Sequence, residues 1–282
     1  MVGMDLSGKV ALVCGAGGGG LGTAVSHILA GAGADLVAVD QNEDLVAATK
    51  AETEALGITC HTIAANLMDA DVAAALVGKA LGLAGRIDIV VNVAGGTRFS
   101  QWSPIEETPD QVLRDVMALN LNYVFRVCAD AARHMIAEGR GGAMVNLASI
   151  AALHSAPFHG PYGMAKRGVM AMGETMALEW ARYGIRVNTV APGGVATPRA
   201  SQLNRGDDSK AQEKSADGLR RMQPDEIAGA VLFLVSDLAS GVSGQTLFVD
   251  GAMGCKNPAG GVIEYTRVMN SAKENAAAGL PG

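Results

Sequence analysis

The chain has 282 residues, 49% of them hydrophobic and 18% charged, with a formal net charge of −6. These values suit one soluble globular domain and argue against nucleic acid or an anionic membrane as the main partner. No run of ~18 apolar residues occurs, so no membrane-spanning helix is expected. The opening MVGMDLSGKVALVCG lacks the charged segment and long apolar core of a signal peptide. Cys14, Cys60, Cys128 and Cys255 are widely spaced, with no CxxC pair and no histidine at ligand spacing. They read as free thiols in a reducing cytoplasm, and no metal site is expected.

The first predicted strand, KVALVC at 9–14, stops at a cluster of glycines: Gly15, Gly17, Gly18, Gly19, Gly20 and Gly22. The helix LGTAVSHILAGAG follows from Leu21. Glycines let the backbone take positive φ and approach a pyrophosphate closely. A helix N-terminus adds free N–H groups and the positive end of the helix dipole. The second predicted strand, DLVAVD at 35–40, ends at Asp40. A carboxylate there accepts hydrogen bonds from both ribose hydroxyls of an adenosine and repels a 2′-phosphate. No Arg or Lys stands in the glycine turn or directly after Asp40, which favours NAD over NADP.

Next come the helix EDLVAATKAETEALG, the strand TCHTIAA (59–65) and the helix ADVAAALVGKALGLAG. The strand IDIVVNVA (87–94) runs into Asn92–Gly95, and a long helix over 108–137 carries Asn120. The strand AMVNLAS (143–149) ends at Ser149. In PYGMAKRGVMAMGETMALEW (161–180), Tyr162 and Lys166 are i and i+4 on one helix face. A phenol with a reference pKa of ~10 is poorly matched to neutral pH, and a neighbouring ammonium favours its ionised form. The pair can therefore act as a general acid/base on an alcohol or ketone oxygen, to which a hydroxyl at Ser149 can also hydrogen-bond. The sixth strand, IRVNTVA (185–191), leads into PGGVATP. Residues 198–223 are polar and read as an insertion containing a helix. DEIAGAVLFLVSD is helical, TLFVDG (246–251) is the last strand, and 253–282 form a tail with one helix around VIEYTRVMNSAKENAAA. Seven near-continuously apolar strands alternating with helices predict an α/β, doubly wound parallel sheet.

These motifs, in this order, resemble the short-chain dehydrogenase/reductase family over roughly residues 5–252. The resemblance implies a Rossmann-type seven-stranded parallel sheet in the order 3-2-1-4-5-6-7, with helices on both faces. It also implies a single catalytic domain over 1–252. By the same resemblance Tyr162 transfers the proton, Ser149 positions the oxygen, and Lys166 holds the nicotinamide ribose. Asn120 holds a water in a proton relay. The implied NAD site is Gly15, Gly20, Leu21 and Gly22 at the turn; Asp40 and Gln41 after the second strand; and Asn66 and Leu67 at the adenine. It continues through Asn92, Ala94 and Gly95, then Tyr162 and Lys166, then Pro192, Gly193, Val195 and Thr197 at the carboxamide. Two features depart from the family's TGxxxGxG: Cys14 replaces the Thr, and four residues rather than three separate Gly15 from Gly20. The alignment taken here keeps Gly15, Gly20 and Gly22 and lets the extra glycine bulge.

Substrate walls are expected from Ser149, Tyr162, His154, Phe158, Gly193, Gly194, Gly96, Thr97 and the 198–223 insertion. His154 and His159 either add a second acid or only shape the pocket. Trp102 lies at the pocket mouth or packs on the surface. Arg199, Arg205 and Lys210 clamp a carboxylate or form a solvated face. The leading expectation is a cytoplasmic, NAD-dependent oxidoreductase interconverting a secondary alcohol and its ketone, a homotetramer by resemblance to its family. An NADP-dependent ketoreductase of acyl-thioester type and a catalytically silent dinucleotide-binding scaffold are the alternatives.

Overall fold

The computed structural model describes residues 3–198 and 220–255. The helix expected in the 198–223 insertion and the helix of the tail lie outside these residues, as do Arg199, Arg205 and Lys210. All seven strands pair parallel, in the order β3-β2-β1-β4-β5-β6-β7. They are β1 Val10–Cys14, β2 Asp35–Asp40, β3 Cys60–Ala64, β4 Ile89–Asn92, β5 Gly142–Leu147, β6 Ile185–Pro192 and β7 Thr246–Val249. The helices are α1 Leu21–Gly31, α2 Glu43–Glu54, α3 Ala70–Ala84, α4 Asp110–Met117, α5 Tyr123–Glu138, α6 Gly160–Trp180 and α7 Pro224–Val235.

Strand side chains alternate between two cores because successive residues point to opposite faces of a sheet. Ala11 and Val13 pack with Val25 and Leu29 of α1 and with Ile227 and Val231 of α7. Val10, Leu12 and Cys14 pack instead with Leu76 of α3 and with Val124 and Val127 of α5. Both faces being covered, β1 is buried at every position, which is why its sequence reads as a continuous apolar run.

Two local differences from the sequence reading bear on function. The expected long helix over 108–137 is two helices, α4 and α5, joined by a π-helical segment at Ala118–Asn122. A single wide turn of this kind is invisible to hydrophobic periodicity, because it shifts the phase by only one residue. Strand β5 ends at Leu147, so Ser149 lies beyond the strand, in the turn before a 3-10 segment at Ile150–Ala152. The sheet order reverses between β1 and β4, and a crevice at the C-terminal ends of the strands forms at such a switch point.

Candidate active site

The glycine turn is shaped by close approach. Gly15 has φ +88°, and a Cβ there would stand 2.6 Å from the backbone N of Ala94. A Cβ on Gly22 would stand 1.7 Å from the carbonyl oxygen of Gly15, so only glycine lets α1 lie this close to the end of β1. Gly18 and Gly19 take φ +95° and +63°, the left-handed region that favours glycine. Gly20 precedes the first turn of α1 with no side-chain cap and no acidic residue following. The N-terminus of α1 therefore faces the cleft with its dipole uncompensated, a setting that fits a phosphate.

Asp40 is tied to this turn. Its Oδ2 accepts from the backbone N–H of Gly17 at 3.1 Å, and its Oδ1 accepts from that of Asn42 at 3.1 Å. Both oxygens are thus aimed at the rim of the cleft, with Gln41 beside them. Asn66 lines the same end and accepts from the N–H of Met68 at 3.1 Å, while the Leu67 side chain is buried beneath.

The end of β4 differs from the sequence expectation. Asn92 does not line the cleft: its side chain turns into the core and donates to Asn146 Oδ1 at 2.8 Å. Strand alternation puts Asn92 on the α5 side, beside Cys128 at 3.3 Å. The residues that follow do face the cleft, and Ala94 is fixed by its N–H to the carbonyl of Cys14 and by Tyr123 Oη donating to its carbonyl, both at 2.8 Å. Asn120 is fully buried. Its Oδ1 accepts from Gly96 N–H at 2.7 Å, and its Nδ2 donates to Gly96 O at 2.9 Å and to Val116 O at 3.0 Å. The side chain therefore locks the Gly95–Gly96 loop.

The reacting groups stand at the other end. Ser149 follows β5 and its Oγ accepts from Ala151 N–H at 3.2 Å. Pro161 in the first turn of α6 is pre-set for helix entry and places Tyr162 at the cleft. One turn on, Lys166 is buried, with Nζ donating to Leu147 O at 2.7 Å and lying 5.9 Å from the Tyr162 ring centre. Burial pulls the Lys166 ammonium down to about 8, since a low-dielectric site disfavours the charged form. Gly95 adjoins both groups: a Cβ there would meet Asn120 Oδ1 at 2.8 Å and Lys166 Nζ at 2.9 Å.

Gly15, Gly20, Leu21, Gly22, Asp40, Asn66, Ala94, Gly95, Ser149, Tyr162, Lys166, Pro192, Gly193, Val195 and Thr197 line one cleft of about 490 Å³. His154 and Phe158 do not line it. His154 is exposed and its Nε2 lies 3.2 Å from the carbonyl of Gly254, while Phe158 points outward at 60% exposure. Sequence reasoning missed Arg98, whose signal was a lone cation just after the β4 motif, and Leu119, which only the π-helical segment brings to the wall. The Leu147 carbonyl that holds Lys166 carries no sequence signal at all, because any residue could supply it.

The comparisons fit this geometry. A family model described as enoyl-(acyl carrier protein) reductase matches residues 15–253. D-threitol dehydrogenase of Mycolicibacterium smegmatis is 37% identical over 87% of this chain and 93% of its own length. The chain belongs to the short-chain dehydrogenase/reductase family. The structure of a short-chain type dehydrogenase/reductase from Mycobacterium ulcerans superposes with a TM-score of 0.80 at 29% identity, covering 90% of this chain and 92% of that one. Carveol dehydrogenase from Mycobacterium avium in complex with NAD superposes with a TM-score of 0.81 at 29% identity, covering 89% and 99%. As a short-chain dehydrogenase/reductase the protein is an oxidoreductase, and the family implies a nicotinamide dinucleotide as its cofactor. The residues present suit that group: a turn in which Gly15 and Gly22 leave no room for a side chain, an uncapped helix N-terminus and a carboxylate at the end of β2. Among the described residues no group of His, Cys, Asp and Glu could hold a metal, and no helix is long and apolar enough to cross a membrane.

Proposed function

We propose that this short-chain dehydrogenase/reductase is a cytoplasmic NAD-dependent enzyme that interconverts a secondary alcohol and its ketone. The observation that carries the reading is one cleft with Asp40 at one end and Ser149, Tyr162 and Lys166 at the other. Glycine turn, Asp40 and Asn66 hold the adenosine half; Gly95, Val195 and Thr197 hold the nicotinamide half. When bound, the nicotinamide supplies hydride acceptance or donation. Tyr162 Oη takes the hydroxyl proton of the alcohol in oxidation and returns it to the ketone oxygen in reduction. Ser149 Oγ donates to that same oxygen and fixes its position. Lys166 Nζ, charged below a pH of about 8, favours the ionised form of Tyr162. The free thiols Cys14, Cys60, Cys128 and Cys255 support a reducing compartment.

Calorimetric titration with NADH and with NADPH tests the cofactor preference. At least tenfold tighter NADH binding, a gap of ~1.4 kcal/mol, is expected because Asp40 repels a 2′-phosphate. Tighter NADPH binding overturns the assignment of Asp40 and moves the search to the reductase alternative.

A further inference from the structure

Outside Tyr162, the loop after β4 and the loop after β5 meet in an arrangement that proton transfer does not require. Ser103 N–H donates to the carbonyl of Phe158 at 2.8 Å and ties the two loops together. Trp102 stacks on His159 with ring centres 4.4 Å apart and planes 15° from parallel. Phe99 meets Trp102 edge-on at 4.9 Å, and His159 stands 6.1 Å from the Tyr162 ring. The rings form an unbroken row from solvent to the reaction centre.

The row is built rather than incidental. His159 directly precedes α6, and its Nδ1 lies 2.8 Å from the carbonyl of Pro157, which makes that nitrogen the protonated one. Phe158 has φ +66°, a conformation that a residue with a bulky side chain rarely adopts, and such outliers persist where the surroundings over-determine them. The turn at Phe99–Gln101 is closed by Gln101 Oε1 accepting from Arg98 N–H at 2.9 Å. Yet the row leaves apolar surface in water: Phe99 is 53% exposed, Trp102 39% and Ile105 78%. Single exposed hydrophobic residues are ordinary, but several at one mouth mark a binding surface.

We infer that the Phe99–Trp102–His159 row is the subsite for the apolar body of the substrate, and that the alcohol taken by this enzyme carries a ring system rather than a chain of hydroxyls. This rests on reading Ser149, Tyr162 and Lys166 as the reaction centre. A flat aromatic face gains by covering another ring through offset or edge contact. A polyol would lose hydrogen bonds to water against the same faces and regain few, since the polar ring atoms among Phe99, Trp102 and His159 are the indole N–H of Trp102 and the two nitrogens of His159, of which Nδ1 is held by the Pro157 carbonyl. The wall thus discriminates by what it desolvates, while Ser149 and Tyr162 act on the one oxygen common to all substrates.

The test compares wild type with Trp102→Ala and Trp102→Phe, using NAD with 1-tetralol and 2-butanol. In wild type, kcat/KM for 1-tetralol exceeds that for 2-butanol. Trp102→Ala lowers that ratio at least tenfold, mainly through KM, with NADH affinity held within twofold as the check on folding. Trp102→Phe restores most of the ratio. An equal loss for both alcohols overturns the inference in favour of a role in positioning Tyr162. No loss overturns it too, because another part of the chain or a second copy then covers the row. If wild type oxidises neither alcohol, the reaction-centre reading fails separately, and binding still decides the subsite. The chain has two tryptophans, so the wild-type fluorescence minus that of Trp102→Phe reports Trp102. Saturable quenching of that difference by 1-tetralone with NAD supports the subsite, and its lack overturns it.

Discussion

Lys166 shows how burial sets the chemistry of a single residue. Its ammonium is buried at the floor of the cleft, and among the described residues it donates to the carbonyl of Leu147. The native value of about 8 lies below the ordinary 10.5, so between those two values the unfolded chain binds a proton that the native protein has released. Stability then rises with pH across that window, while below it the full cost of burying the charge stands. In urea unfolding, wild type should therefore gain on Lys166→Met by roughly 3 kcal/mol at most between the two values. A difference that stays flat with pH would mean the ammonium is not desolvated. Tyr162→Phe removes one oxygen and leaves the helix intact. It should keep NADH affinity within about twofold and lower kcat by on the order of 10²–10⁴, measured on any alcohol that wild type oxidises. Retained turnover would remove Tyr162 from the proton path.

At the scale of elements, the approach of α1 to β1 is decided by one hydrogen atom. The Cβ of any other residue at position 22 would overlap the Gly15 carbonyl, so the helix must move and the turn must open. Gly31, at the far end of the same helix, would place a Cβ in open space. Gly31→Ala should leave thermal stability unchanged or raise it by up to ~1 kcal/mol, through helix propensity alone. Gly22→Ala should cost about 1–3 kcal/mol or more and weaken NADH binding in proportion. Equal melting temperatures for the two variants would refute the close approach. The π-helical segment between α4 and α5 acts on the same principle of local geometry. Its extra residue turns Asn120 inward, where its amide clamps Gly96, and through the contact of Gly95 with Lys166 it shapes the floor of the cleft.

For the whole molecule, α5 and α6 leave apolar side chains exposed. Phe125, Met164 and Leu178 are exposed by 56%, 53% and 82%. Met164 and Leu178 fall on one face of α6, four helical turns being close to fourteen residues. A homotetramer that pairs these helices would cover them, and light scattering should give about four times the 28.7 kDa of the chain. Leu178→Glu places a charge in that contact and should shift the mass to a smaller assembly, since an unpaired buried charge is costly. A wild-type mass of one chain would sink the tetramer. The same measurement on a chain truncated before Cys255 shows whether the tail, outside the described residues, takes part.

The alternation of strands and helices and the two-faced burial of the sheet were legible in the sequence, because strands covered on both faces read as continuous apolar runs. The strand order came with the family resemblance, and the observed sheet has that order. The sites of Asp40, Ser149, Tyr162 and Lys166 were legible as positions too, because motif spacing reads directly onto strand ends and helix turns. What tertiary structure alone decided is direction and environment. Asn92 carries a motif position yet turns into the core, since strand alternation and its partner Asn146 outweigh the motif. Asn120 spends its amide on Gly96 because a wide turn, silent in periodicity, rotates it inward. The pull on Lys166 comes from burial under residues distant in the chain, and the ring row beside Tyr162 joins Phe99 and Trp102 to His159 across more than fifty residues. Contacts of that span depend on how two loops dock, a matter of packing that no local pattern encodes.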